Sequence, residues 1–174
     1  MAKQKSLLRG ILAGMAGGLA AAWMMNEFMA GLGPKLQQAA QSDEENRQQE
    51  ANKDQPKEDA TMKAADAIAH AATGEHLSRA EKEKGGPIVH YAFGALTGAL
   101  YGGLAEYSPA VRSGFGTSFG GVLFSTADLL AVPALKLAPS PADQPASAQA
   151  SPFAAHIVYG ATTELVRRIV RAIF

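Results

Sequence analysis

The chain contains no cysteine, so a disulfide framework, a thiolate metal site and a cysteine nucleophile are all excluded. It has no net charge either, because sixteen lysines and arginines cancel sixteen aspartates and glutamates. No overall field therefore draws it to nucleic acid, and no basic patch is interleaved with aromatic residues that would stack on bases. The sole Trp23 with Tyr91, Tyr101, Tyr107 and Tyr159 reads instead as interface anchoring or packing. Enzyme signatures are missing as well: there is no phosphate-cradling P-loop, no G-x-S-x-G elbow and no H-E-x-x-H pair. The expectation is a protein that is not an enzyme, needs no cofactor and has no nucleic-acid partner.

Glycine, by contrast, is abundant, with eighteen in 174 residues. Three apolar stretches carry it at fourth positions: Gly10, Gly14 and Gly18; Gly94, Gly98 and Gly102; Gly116 and Gly120. Residues four apart share one helical face, and without side chains there a neighbouring backbone can approach closely, the packing device of membrane helices. In a soluble helix each such glycine costs about 1 kcal/mol relative to alanine. A glycine-tolerant soluble helical domain is the competing reading.

The mean hydropathy of −0.04 conceals two materials, because most charges fall between Lys35 and Lys84. Outside that segment four apolar spans are expected at about 9–32, 87–107, 111–135 and 152–173, close to the roughly 20 residues that cross a bilayer. Pro87 suits a first helical turn after a break at Gly85-Gly86, and Ser151-Pro152 reads as a cap followed by an N1 proline. The fourth span is the weakest, carrying Glu164, Arg167, Arg168 and Arg171, whose arginines are expected to snorkel to headgroups. Pro133 is expected to kink the third span and free a carbonyl.

The segment 35–85 is a charged loop. Gln37 to about Glu58 reads as flexible or frayed-helical, whereas Ala60 to Ala72 puts Met62, Ala65, Ile68 and Ala72 near one helical face, with Gly74 as a stop. Ser78 and Glu81 have capping-box spacing for a short helix to Lys84, and Ala138 to Ser151 reads as an extended connector.

The chain also repeats itself. His90-x-x-Phe93-Gly94-Ala95-x-Thr97 recurs as His156-x-x-Tyr159-Gly160-Ala161-x-Thr163, and Arg9 with Gly17-Gly18 recurs as Arg112 with Gly120-Gly121. The matches keep their order, which points to two helical hairpins related by duplication. The expected fold is all-α, an integral membrane four-helix bundle. Lys3, Lys5, Arg9, Arg112, Arg167, Arg168 and Arg171 fall on one side if both termini are cytoplasmic, although the long loop opposes this with eight basic residues beside eleven acidic ones. Cleavage of a signal peptide at Ala20-Ala21-Ala22 is an alternative for the first span, yielding an exported protein that associates with lipid surfaces.

Four polar residues then reach one level near the outer side: Glu27, His90, Asp128 and His156. At about 1.5 Å per residue the two carboxylates lie roughly 24 to 27 Å above the cytoplasmic arginines. Such a set could bind a divalent metal or relay protons, while the simpler alternative is that all four are interfacial. Nearer the cytoplasm, Glu106 is close to Arg112 in sequence and Glu164 has helical spacing to Arg167 and Arg168.

The glycine-punctuated first span, the run H-Y-A-F-G-A-L-T-G-A-L-Y-G-G-L-A-E-Y from His90 to Tyr107 and the ending H-I-V-Y-G-A-T-T-E-L-V-R-R together resemble the YagU-like family of small bacterial inner-membrane proteins. The similarity spans residues 7–33 and 87–171 and leaves the charged loop aside. The resemblance implies a multi-pass inner-membrane protein with a structural or stress-related role, linked to acid tolerance in one branch, and it carries over no catalytic or ligand residues. The expected partners are the lipid bilayer and, because three glycine faces exceed the needs of one contact, a second copy of the chain.

Overall fold

The computed structural model describes residues 5–54 and 57–173; Lys3, one of the expected positive-inside residues, lies outside them. Among the described residues the chain is helical throughout and forms no strand. The order is α1 (Leu7–Gly31), α2 (Gly33–Ala40), α3 (Asp43–Ala51), α4 (Ala60–Thr73), α5 (Arg79–Tyr107), a 3₁₀ stretch (Pro109–Gly116), α6 (Thr117–Leu123), a π-helical stretch (Phe124–Ala131), α7 (Val132–Ala134), two short 3₁₀ turns and α8 (Ala150–Ile173). Three of these segments are long and apolar enough to cross a membrane: Leu7–Gly31, Arg79–Tyr107 and Pro109–Ala134.

Helix α1 lies between two antiparallel neighbours, and small residues let it do so. A Cβ at Gly10 would overlap Glu106, and one at Gly14 or Gly18 would overlap the carbonyl oxygen of Gly98 or Gly94 in α5. In return, a Cβ at Gly98 or Gly102 would overlap the Gly14 or Gly10 carbonyl oxygen. Gly17 turns the other way, where a Cβ would stand 2.6 Å from the Thr163 carbonyl oxygen of α8. The far side of α8 receives α6 similarly, Gly116 against the Gly160 carbonyl and Gly120 against that of His156. All eight glycines of the sequence pattern thus meet backbone or side chains of this same chain. Close approach offsets their poor helix propensity. The two hairpins use different contacts, however: Gly94 meets Gly18, while its sequence counterpart Gly160 meets Gly116, the counterpart of Ala13.

Small residues are inside and large apolar ones outside. Ala13, Ala21, Ala22, Ala99, Ala105 and Ala155 are buried, whereas Leu8, Leu12, Trp23, Leu96, Leu100, Val122 and Leu130 are exposed. A soluble monomer seldom leaves such large contiguous apolar patches on its surface, and lipid removes the need to hide them. The arrangement is that of a membrane protein.

Several expectations are corrected. The break at Gly85-Gly86 is absent, and α5 runs unbroken from Arg79 to Tyr107 with Pro87 inside it. Glycine is needed there for α4 to dock: a Cβ at Gly85 would lie 2.8 Å from the Ala65 Cβ, and one at Gly86 would lie 3.0 Å from the Met62 side chain. The segment after α1 forms α2 and α3, because Pro34 opens one helix and a Ser42–Glu45 capping box opens the other. The Ser78–Glu81 capping box is present and starts α5. In α4, Met62 and Ala65 are buried, but Ile68 and Ala72 are exposed, so only the first half of the expected face is covered. The third span does not begin as a helix. Ser113 is extended, and Gly114, Phe115 and Gly116 are left-handed, which makes a tight reversal after Pro109. Beyond it, the π-helical stretch ends at Ala131, two residues before Pro133, whose missing N–H removes a rung of the α-helical ladder, and the Ser125 and Thr126 hydroxyls donate to the Gly121 and Val122 carbonyls at 2.9 and 2.8 Å.

Outside the apolar spans, Asp66 ties α4 to the start of α5. It accepts from the Leu77 N–H at 2.7 Å and lies 3.1 Å from His76 Nδ1 and 3.4 Å from Lys82 Nζ. The Leu77 N–H first, then His76 and Lys82, hold its carboxyl below the usual 3.8. A carboxyl lowered by folding stabilises above its unfolded value, and that stability is lost as pH falls through the folded one. The docking of α4 should therefore be intact above about pH 4 and weaken below it. Hydrogen exchange of the α4 amides should accelerate over this acid window in the native protein and show no such step in Asp66→Asn.

Candidate functional site

At one end of the bundle α1, α4, α5, α8 and the π-helical stretch leave space between them. A cavity of about 470 Å³ is lined by Met25, Asn26, His90, Asp128 and His156 among others. A narrower cleft of about 300 Å³ runs from Asp128, His156 and His90 along Val89, Phe93, Leu123 and Leu135. The π-helical stretch carries Asp128, which faces His156 of α8 across this opening.

Asp128 Oδ2 lies 3.2 Å from His156 Nε2. The other ring nitrogen, Nδ1, is 2.9 Å from the Pro152 carbonyl oxygen one turn earlier. A carbonyl only accepts, so Nδ1 carries a hydrogen, and Nε2, 3.2 Å from Oδ2, forms an ion pair with the carboxylate when it carries a proton too. With that proton the pair is either imidazolium and carboxylate or imidazole and carboxylic acid, neutral overall in both forms. The His156 side chain is 10% exposed and that of Asp128 34%, so the carboxylate keeps an open side toward the cavity. His90 Nε2 faces the Ala22 carbonyl oxygen at 3.3 Å, which fixes its hydrogen there. Beneath the cleft Tyr159 donates to the Gly94 carbonyl at 2.6 Å, with the Thr97 hydroxyl 2.9 Å away.

Of the four polar residues picked out by sequence, the structure pairs two. Asp128 and His156 meet, His90 lines the same cavities, and Glu27 is exposed on α1 and lines neither. Among the described residues no three His, Asp or Glu side chains group as metal ligands. Depth along each helix was legible in sequence, but the rotation of Glu27 away from α5 and α8 was not.

The opposite end holds a buried ionic network. Glu164 is fully buried and accepts from the Tyr101 hydroxyl at 2.8 Å, from Arg167 at 2.7 and 3.0 Å and from Arg168 at 2.6 Å. Glu106 accepts from Arg171 at 2.6 and 3.0 Å and from the Ser6 N–H at 3.2 Å, with Arg167 Nη1 at 4.0 Å. The sequence neighbour of Glu106, Arg112, is thus not its partner; α8 brings Arg171 there instead. Arg167 and Arg171 turn inward to these carboxylates, and only Arg168 extends outward, over the Phe115 ring at 4.6 Å. Snorkelling accounts for one arginine of three.

A family model described as "Protein of unknown function (DUF1440)" matches residues 46–165, more than half of the chain. The chain belongs to the DUF1440 family. The match takes in α4, α5 and the Asp128–His156 pair, and also much of the charged segment that the sequence resemblance left aside, while α1 lies outside it. Neither a curated protein nor a solved structure matches the chain.

Proposed function

We propose that this DUF1440 protein is a multi-pass protein of the bacterial inner membrane, built as a four-helix bundle of two duplicated hairpins with both termini cytoplasmic. Its role is structural or stress-related rather than enzymatic, in keeping with its resemblance to the YagU-like family and that family's link to acid tolerance. The observation that carries this reading is the mutual approach of the α1 and α5 backbones at Gly14 and Gly98, surrounded by exposed leucines. The fourth crossing is α8, whose inward-facing Arg167 and Arg171 are paired with Glu164 and Glu106. The bilayer is the partner. Since the glycine faces are filled within one chain, packing does not require a second copy.

Reporter fusions after residues 60, 110, 145 and 174 should read outside, inside, outside and inside. A fusion at 174 on the outer side would remove α8 as a crossing, and export of the chain after cleavage near residue 22 would replace the bundle with a lipid-associated protein.

The pairing of Asp128 with His156 beside a cavity supports a second reading, a proton-conducting protein. For metal conduction the same end offers two meeting ligands, fewer than a divalent ion's usual set. Proton flux into liposomes that is unchanged in Asp128→Asn would eliminate conduction through this pair.

A further inference from the structure

The cleft and the Asp128–His156 pair at its head have the form of a ligand site. We propose that the Asp128–His156 pair binds the ammonium group of an amphiphilic organic amine whose apolar part occupies the cleft, and that binding releases the proton that the pair holds. The inference concerns the same site as the conduction reading but rests on the cleft and the pair alone, and it stands whether or not protons cross the membrane.

Three observations converge on this occupant. The cleft of about 300 Å³ is walled by Val89, Phe93, Leu123, Ala131, Leu135 and Leu137, at the small end of the roughly 300 to 1,000 Å³ typical of ligand pockets. Its polar head is acidic: among the described residues, the formally charged ones lining the two cavities are Asp128 and, from the start of α4, Asp59, with no lysine or arginine beside them. A cation is thus favoured over an anion or a lipid phosphate. Finally, the hydrogen-bond pattern suits an N–H donor. His156 Nδ1 is committed to the Pro152 carbonyl, so once the pair's proton leaves, Nε2 presents a lone pair beside the Asp128 carboxylate. Two acceptors side by side fit a primary or secondary ammonium, which brings two hydrogens to them.

The exchange balances. The ammonium enters with one positive charge and one proton departs to water, leaving carboxylate, neutral imidazole and bound cation with the same net charge as before. The titratable groups around it are Asp59 from α4, His90 from α5, Asp128 from the π-helical stretch, and His156 and Tyr159 from α8. Of these, Asp59 is occupied in capping α4 through the Met62 N–H, and His90 is held to the Ala22 carbonyl. Asp128 and His156 are left to carry the exchange.

The test is calorimetric titration of the full chain in lipid nanodiscs with 4-phenylbutylammonium, repeated in two buffers of different ionisation enthalpy so that protons released are counted. Native protein should bind the amine saturably and release up to one proton for each amine bound. Asp128→Asn should lose at least tenfold in affinity and the proton release. His156→Gln, which leaves the carboxylate, should keep affinity within a few-fold but release fewer protons, so its result does not depend on Asp128→Asn folding. Glu27→Gln should match native protein. The uncharged analogue 4-phenylbutan-1-ol binding as tightly as the amine would overturn the proposal in favour of a lipid-chain cleft, as would the absence of saturable binding by native protein or release that persists in Asp128→Asn.

Discussion

Gly14→Ala should lower the melting temperature of the purified protein by roughly 6 to 12 °C, even though alanine is the better helix former. The added Cβ would overlap the Gly98 carbonyl oxygen and come within 2.7 Å of the Gly102 Cα. Both obstacles are backbone, so no rotamer change relieves them and the helices must separate along their length. Overpacking of this kind costs about 3 kcal/mol. The control is Gly121→Ala, where no heavy atom stands within 4 Å of the new Cβ. That variant should gain up to about 1 kcal/mol from helix propensity. Thermal unfolding in detergent micelles, followed by circular dichroism, separates the two. If Gly14→Ala melts with Gly121→Ala, the α1–α5 contact is not what holds the bundle together.

The second large effect is expected at Glu164. Its removal in Glu164→Ala leaves Arg167, 6% exposed, without its closest carboxylate and the Tyr101 hydroxyl without an acceptor. Breaking a buried pair from one side costs about 3 to 5 kcal/mol. Arg168 touches the same carboxylate but is 52% exposed. Water screens it, so Arg168→Ala should cost less than about 1 kcal/mol. Equilibrium unfolding in mixed micelles reads both variants against native protein. Equal losses would mean that the network acts as surface charge, and that α8 is held to α5 by packing alone.

The two sites differ in what made them legible. Glycine spacing reveals a face wherever an apolar run is helical, because the period of 3.6 is a property of the backbone alone. Gly10, Gly14 and Gly18 could thus be read as a packing surface before any partner was known. The cap at Ser78 is similarly local, since it needs a glutamate three residues on, whereas the equivalent box at Ser42 lies in a segment whose polar composition reads as flexible or frayed-helical. The break expected at Gly85-Gly86 illustrates the opposite case. Local propensity argues for a helix end, but docking of Met62 and Ala65 on those glycines keeps α5 continuous, a long-range contact that no window of sequence contains.

The candidate site divides along the same line. Asp128 and His156 stand out in sequence as polar groups in apolar runs, and their comparable depth follows from counting residues. That they touch while Glu27 points away depends on helix rotation about the axis. The left-handed reversal at Gly114–Gly116 and the π-helical stretch that carries Asp128 lie on that residue's own segment; Glu27 stands on the separate helix α1.

By itself the sequence determined an all-helical chain with long apolar segments, small-residue faces and a separate charged segment, because periodicity and composition act locally. Tertiary structure alone decided which faces meet, which arginines turn inward to Glu164 and Glu106, and which two of the four polar residues meet. Those outcomes rest on backbone approach and helix rotation, to which residues far apart in the chain contribute together.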